Sequence, residues 1–320
     1  MIRPRDFPYW HEVVLAVLLV GLMIWAGVTE PPRRNTFVSP GTQLQLSGNM
    51  WEMALLTVPM TLIIITSGID LSVGSAMALS AVALGETYNH GFSVWIAAAV
   101  AIGMGLWAGF FNGLFISKLH VHPLIVTLAT LAAFKGIAEG YSEGVSVSKF
   151  PESFRMIGEG TILGLPIPGI IFMGVVISAA VILIKTRWGR YLYSMGHNET
   201  ATRFSGVPVD KIKLALYTLS GGMAGLAAVI YGARRDSAKA DVGDGMELDV
   251  ITAVVLGGTS IFGGRGNMLG TLLGVLLVHE TRELVSWRWN QAELNLIVIG
   301  LLLIGSVLLN RLLSVRGRKG

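Results

Sequence analysis

Ten apolar segments, each close to the length of a membrane helix, constrain this chain more than any other feature. They lie at about 10–28, 50–67, 71–88, 92–114, 122–140, 169–186, 212–231, 248–262, 267–283 and 294–312. A helix needs about twenty predominantly apolar residues to cross a bilayer, and only the eighth and ninth segments are marginally short. The pattern predicts an all-α integral membrane protein, a bundle of about ten transmembrane helices that forms one domain over residues 1–320.

The composition supports a membrane protein and excludes several other classes. Hydrophobic residues make up 52% of the chain and charged residues 14%, whereas a soluble domain carries about 25% charged residues. The net charge of +4 comes from basic residues in the connections, so it does not indicate nucleic-acid binding. Cysteine is absent, which excludes disulfides and thiolate metal sites.

The basic residues between the segments predict the orientation of the chain, because connections rich in Lys and Arg stay in the cytoplasm. If the chain has ten spans, the same side of the membrane holds most of the basic residues: Arg3, Arg5, Lys118, Lys185, Arg187, Arg190, Arg203, Lys211, Lys213, Arg265, Arg311, Arg316, Arg318 and Lys319. We therefore expect both termini and the connection 186–213 to be cytoplasmic. The connection 141–168 is then external, and its length indicates that it is functional or has structure of its own.

The connection 186–213 contains the signals of one short helix. Asn198 is a typical N-cap, Gly206 a typical left-handed stop, and Pro208 prevents continuation. The predicted helix contains Glu199, Thr200, Ala201, Thr202, Arg203, Phe204 and Ser205. Its exposed mixture of residues suits contact with another protein. The alternative is an ordinary loop that is basic only because of topology.

Two glycine-rich turns join pairs of predicted cytoplasmic helix ends. The first contains Gly68, Asp70 and Gly74, and we expect Asp70 to cap the following helix. The second contains Gly257, Gly258, Gly263, Gly264 and Gly266. Each could also be a turn with no further role.

Glycines at four-residue spacing predict close helix packing in lipid. They occur as three sets: Gly105, Gly109 and Gly113; Gly221 and Gly225; and Gly266, Gly270 and Gly274.

Motifs of catalysis and metal binding are missing from the sequence. It has no HExxH, no GxSxG and no Walker phosphate loop, and its six histidines show no metal-ligand spacing. No carboxylate is expected in the middle of a span, which argues against proton or sodium coupling. We therefore expect no catalytic residue, no metal and no cofactor on this chain. Lys135 is expected to pair with Glu139, four residues later.

Neutral hydrogen-bonding side chains near the ends of the segments are candidates for a translocation path. They are Ser72, Ser75, Asn112, Thr127, Thr130, Thr252 and Thr259. As a set they could line a wet and weakly binding route for an uncharged solute. For any single one of them, helix packing or a bond to the preceding turn is the alternative.

Four motifs occur in a fixed order along the chain: GIDLSVGS at 68–75, HPLIVTLAT at 122–130, WGR with GHNETATRFSG at 188–206, and ELDVITAVVLGGTSIFGGRG at 247–266. Together they resemble the ribose-type sugar permease subunits of bacterial ABC importers, including the rhamnose and autoinducer-2 branches, over about residues 50–310. The sequence departs from that pattern at Ser67, Thr200 and Lys239, where glycine, alanine and arginine are commoner.

The resemblance implies a permease subunit of the inner membrane that moves a sugar or a related neutral solute. It implies ATP and Mg²⁺ on cytoplasmic ATPase subunits, a periplasmic sugar-binding protein, and a second permease copy or a paralogue. The helix 198–206 matches the position at which such permeases contact the ATPase. The alternatives are a nucleoside or branched-chain amino-acid ABC permease, or an ion-coupled secondary transporter.

Overall fold

The computed structural model describes residues 10–30, 36–289, 294–295, 297–302 and 304–305. Its helices are α1 (Trp10–Thr29), α2 (Pro40–Ser47), α3 (Trp51–Ile65), α4 (Val73–Asn89), α5 (Val94–Ser117), α6 (Pro123–Ser142), α7 (Glu152–Glu159), α8 (Ile167–Lys185), α9 (Arg187–His197), α10 (Glu199–Phe204), α11 (Val209–Arg235), α12 (Met246–Leu256) and α13 (Met268–Trp289). Strand β1 (Val147–Ser148) pairs with β4 (Ser237–Ala238), and β2 (Thr161–Ile162) pairs with β3 (Leu165–Pro166), both antiparallel. The described residues are mostly helical, as the sequence predicts, and these two-residue strands lie in the connections.

Helices coincide with eight of the first nine apolar segments, the exception being 248–262, and the tenth is described only at 294–295, 297–302 and 304–305. Within the described residues, five helices are long and apolar enough to cross a membrane: α1, α5, α6, α8 and α11. A sixth span results if α2 and α3, which are bent by 62° at their junction, count as one. The chain is thus a mostly helical protein with several candidate membrane spans, and the total of about ten stays a prediction.

The predicted span at 248–262 is wrong, because only its first part is helical. Helix α12 has 11 residues, or about 16 Å, roughly half of the hydrocarbon core. The preceding segment lies along α4: a Cβ on Gly85 would be 3.1 Å from Ala238, and one on Gly74 would be 2.3 Å from the Gly243 carbonyl oxygen. Residues 238–243 therefore run antiparallel to α4, and this broken crossing combines a non-helical segment, which ends in turns at 240–245, with a short helix.

Helices α5 and α11 touch through their backbones. A Cβ on Gly109 would lie 2.1 Å from the carbonyl oxygen of Tyr217, and one on Gly221 would lie 2.1 Å from that of Gly105. Such contact requires glycine on both helices, which confirms the predicted packing faces.

Helices α12 and α13 are equally close. A Cβ on Gly270 would lie 2.0 Å from the carbonyl oxygen of Gly257, and one on Gly274 would lie 2.0 Å from that of Ala253. Gly266 belongs to the turn before α13 and not to the helix face that was predicted for it.

The connection 141–168 has structure of its own. It contains β1, α7 and the β2–β3 hairpin, and Phe150 and Phe154 are buried in its contact with the bundle. A Cβ on Gly158 of α7 would lie 2.3 Å from the backbone nitrogen of Arg234. The segment therefore covers the end of α11.

The α5–α11 contact predicts a sharp difference between two glycines of the same helix. We expect Gly109→Ala to lower the free energy of unfolding by about 1–3 kcal/mol, because the new methyl group overlaps the Tyr217 carbonyl oxygen. Gly103 has no atom within 4 Å of an added Cβ, so Gly103→Ala should be neutral or slightly stabilising. Thermal unfolding of the purified variants in detergent measures the difference. Equal melting temperatures for the two variants would contradict the contact.

Candidate functional site

Three chain segments meet at the end of the bundle where α10 lies. We call residues 66–72, 193–206 and 257–267 the turn cluster. The Gly264 amide donates to the carbonyl oxygen of Ile65 at 2.9 Å. The Ser67 hydroxyl donates to the carbonyl oxygen of Phe262 at 2.9 Å, and the Tyr193 hydroxyl donates to that of Gly266 at 2.7 Å. The structure therefore brings the two predicted glycine-rich turns together with the segment before α10.

Close backbone approach explains the glycines of the turn cluster. Gly263 and Gly264 have φ of +82° and +74°, a region that favours glycine. A Cβ on Gly196 would lie 1.9 Å from the carbonyl oxygen of Ile65 and 2.3 Å from the Gly264 nitrogen. Sequence reasoning did not single out Gly196, since a lone glycine near a helix end gives no indication of what approaches it.

Helix α10 has the predicted ends. The side chain of Asn198 accepts a hydrogen bond from the Ala201 amide at 2.9 Å, which confirms the N-cap. Gly206 has φ of +83°, which confirms the left-handed stop. The helix ends at Phe204, one residue before the expected Ser205. Thr200 and Ala201 are exposed, Thr202 is buried, and the Phe204 side chain is 87% exposed.

Ion pairs attach α10 to the first turns of α11. Arg203 forms two hydrogen bonds with the Asp210 carboxylate, at 2.7 and 2.9 Å, a geometry that fixes orientation as well as distance. Lys213 binds Glu199 at 2.6 Å. The bond to Asp210 raises the pKa of Arg203, so this side chain stays charged. These ion pairs connect α10 to the start of α11, which has 27 residues.

A second exposed aromatic side chain lies in the turn cluster. Phe262 is 83% exposed, although its backbone is held by Ser67. The sequence analysis did not single out Phe262. An aromatic residue in the middle of a glycine-rich turn could have indicated an exposed contact residue. Phe204 and Phe262 give this end of the molecule two apolar projections.

Asp70 is not the helix cap that the sequence predicts. The N-cap of α4 is Ser72, whose side chain makes no capping bond, and Asp70 lies two residues earlier. Its carboxylate accepts hydrogen bonds from the Ser72 amide at 3.0 Å, the Ser72 hydroxyl at 2.7 Å and the Ser220 hydroxyl of α11 at 2.8 Å. Asn112 of α5 donates to the Ser72 hydroxyl at 2.7 Å. Asp70 therefore connects three helices.

The remaining glycines of the two predicted turns also lie at close contacts. A Cβ on Gly68 would be 2.7 Å from the Tyr217 hydroxyl, and one on Gly258 would be 2.5 Å from the ring of His11. Gly74 contacts Gly243 in the turns before α12, and Gly257 contacts α13. These turns hold the helix ends of the bundle together.

The neutral side chains proposed for the path are buried and mostly bonded to backbone. The hydroxyls of Ser75, Thr130 and Thr252 donate to the carbonyls of Ser72, Val126 and Leu248. Thr127 donates to the Pro123 carbonyl oxygen at 3.0 Å.

Two buried atoms of the same set have no hydrogen-bond partner: Asn112 Oδ1 and Thr259 Oγ1. The geometry of the set favours helix packing over an open route. Its role in translocation remains a prediction.

A polar cavity of about 350 Å³ lies toward the opposite end of the bundle. Its carboxylates are those of Glu52, Asp241, Asp244, Asp249 and Glu283, and its guanidinium groups are those of Arg234, Arg235 and Arg282. Arg234 binds the buried Glu52 at 3.0 Å, and Arg282 binds Asp249.

Two lysines outside this lining also bind its carboxylates. Lys135 binds Asp244 and Lys239 binds Asp241. Lys135 also pairs with Glu139 at 3.7 Å, which confirms the predicted i,i+4 pair.

The Asp70 contacts predict opposite outcomes for two substitutions. Burial raises the pKa of Asp70 against the opposing effect of the bonds from Ser72 and Ser220. An asparagine has the same shape and keeps an acceptor oxygen for Ser72 and a polar group for the Ser220 hydroxyl. Asp70→Asn should cost less than about 1 kcal/mol of unfolding free energy, whereas Asp70→Ala strands three buried donors and should cost about 2–5 kcal/mol. Ser220→Ala, which removes one bond, should cost about 1 kcal/mol.

Thermal unfolding and ATP-driven uptake together test this account of Asp70. A well-folded Asp70→Asn protein that fails to transport would show that the charge itself is needed.

Comparisons with known proteins identify relatives along most of the chain. The ribose import permease protein of Escherichia coli is 43% identical over 230 residues, which is 70% of this chain and 71% of that protein. The ribose import permease protein of Bacillus subtilis is 36% identical over 278 residues, or 86% of each. The autoinducer 2 import system permease protein LsrD of Klebsiella pneumoniae is 32% identical over 275 residues, 84% of this chain and 81% of that protein.

A family model described as the permease component of a branched-chain amino acid transport system matches residues 47–307. This range includes both glycine-rich turns, α10 and the residues of the polar cavity. It agrees with the resemblance to ribose-type permeases, and the chain belongs to this family of transport-system permease components.

Proposed function

We propose that the chain is the permease subunit of a bacterial ABC importer that moves a monosaccharide or a related neutral solute across the inner membrane. The observation that carries the proposal is α10, a capped helix with an 87% exposed Phe204 and ion pairs to α11. Such a helix can receive a partner and transmit its displacement. The ribose and autoinducer 2 permeases among the relatives favour a sugar-like substrate.

The proposed assembly has cytoplasmic ATPase subunits on the turn cluster and a periplasmic sugar-binding protein on the opposite end. ATP and Mg²⁺ bind the ATPase subunits, and this chain itself catalyses no reaction. A second copy of the chain or a paralogue completes the path, and lipid surrounds about ten transmembrane helices. Both termini lie in the cytoplasm in this arrangement. The start of α1 supports it, because His11 contacts the Leu256 carbonyl oxygen at 2.9 Å, beside the turn cluster.

The ion pairs of the cavity arginines support a neutral substrate, and this argument comes from the structure and not from the sequence. Guanidinium groups are present inside the bundle, but Arg234 and Arg282 each bind a carboxylate. An anionic substrate would have to displace those partners. The family description names branched-chain amino acids, so leucine is the comparison solute in any uptake experiment.

Helix α10 gives the test of this proposal. We expect Phe204→Asp to leave the protein folded and inserted, because the side chain is exposed, but to abolish co-purification of the ATPase subunits and substrate-stimulated ATP hydrolysis. The matched control is Phe92→Asp, which changes a 54% exposed phenylalanine at the opposite end and should leave co-purification intact. Normal co-purification and hydrolysis in the Phe204→Asp complex would show that α10 is not the contact.

A further inference from the structure

The polar cavity lies where the broken crossing changes from non-helical backbone to helix. Val242, Gly243 and Asp244 line it from the turns before α12, and Met246 and Asp249 line it from the start of α12. Non-helical backbone inside a membrane bundle is tolerated where it is buried in protein or lines a cavity. Transporters of several folds bind their substrates at such interruptions of a helix.

The charges of the cavity are balanced. Its five carboxylates are accompanied by three lining arginines and by the two lysines that bind Asp244 and Asp241. A ligand that carries a net charge would therefore face as many repulsive as attractive groups. A hydroxyl group can donate to a carboxylate and accept from a guanidinium group, so a polyhydroxylated solute matches both signs at once.

The volume of the cavity and the tyrosine in its lining restrict the class of ligand further. The volume of about 350 Å³ is near the lower limit for small-molecule pockets, which suits one small solute. Tyr231 of α11 also lines the cavity and offers an apolar ring with a polar hydroxyl.

We propose that this cavity is a binding site for one neutral polyhydroxylated solute of monosaccharide size. The site would hold the solute on its way through the permease, so the inference rests on the proposed function and adds a location and a ligand class to it. Glu52, Arg234, Asp249 and Arg282 supply fixed donors and acceptors, and Met246 is the first residue of α12 after the turns.

The test measures sugar binding to the full-length chain in nanodiscs without its partners. The probes are D-ribose and L-rhamnose, with D-ribose 5-phosphate as the anionic comparison and D-glucosamine as the cationic one. Saturation-transfer NMR gives the affinities. Met246→Trp places a large ring in the cavity, whereas Leu248→Trp places the same ring on the same helix at a residue that is 50% exposed and does not line the cavity.

The expected result is at least a tenfold loss of affinity for the bound neutral sugar in Met246→Trp and no change in Leu248→Trp. The phosphorylated and amino sugars should bind at least tenfold more weakly to the wild-type protein. Tyr231→Ala is a second variant in case Met246→Trp fails to fold, and it should also weaken binding about tenfold. Unchanged binding in a folded cavity variant, equal binding of the charged sugars, or no binding of either neutral sugar overturns the proposal.

Uptake by the complete transporter separates this inference from the proposed function. If the wild-type complex imports sugar with ATP and the folded Met246→Trp complex does so equally well, the cavity is not on the route and the proposed function stands. If the wild-type complex imports no sugar with ATP, the proposed function fails.

Discussion

The contact between the backbones of α5 and α11 is the constraint on which the rest of the structure depends. Glycine at 105, 109, 221 and 225 lets the two helices approach until an added Cβ would overlap a carbonyl oxygen. In lipid, where apolar burial gives no driving force between helices, such close packing supplies much of the attraction. The contact places Ser220 beside Asp70, which adds α4 to the pair.

Helix α11 connects the two functional ends of the molecule. Its 27 residues span about 40 Å. Asp210 and Lys213 in its first turns hold α10, and Arg234 near its end binds Glu52 beside the polar cavity. In the proposed assembly, a rigid helix with these attachments would be a physical route from the proposed ATPase contact to the proposed solute site. The route has two defined ends, and each can be altered separately.

The sequence predicts local features well and long-range contacts poorly. Eight of the apolar segments, the ends of α10 and the glycine faces follow from periodicity, capping and spacing, which are properties of neighbouring residues. The role of Asp70 was wrong because its decisive partner, Ser220, is 150 residues away. The course of the segment 238–243 along α4 was missed because its contacts, Gly74 and Gly85, lie on a helix far away in the sequence. The cavity was missed because its ion pairs join residues from distant helices.

Reconstitution in liposomes tests the central claim, that this chain is an ATP-driven permease for a neutral sugar, most directly. The chain is combined with its cognate ATPase and binding protein, and uptake of labelled ribose, rhamnose and leucine is measured with and without ATP. The account predicts sugar uptake that requires ATP and the binding protein, with no uptake of leucine. Sugar uptake by the chain alone, driven by a proton or sodium gradient without ATP, would contradict it.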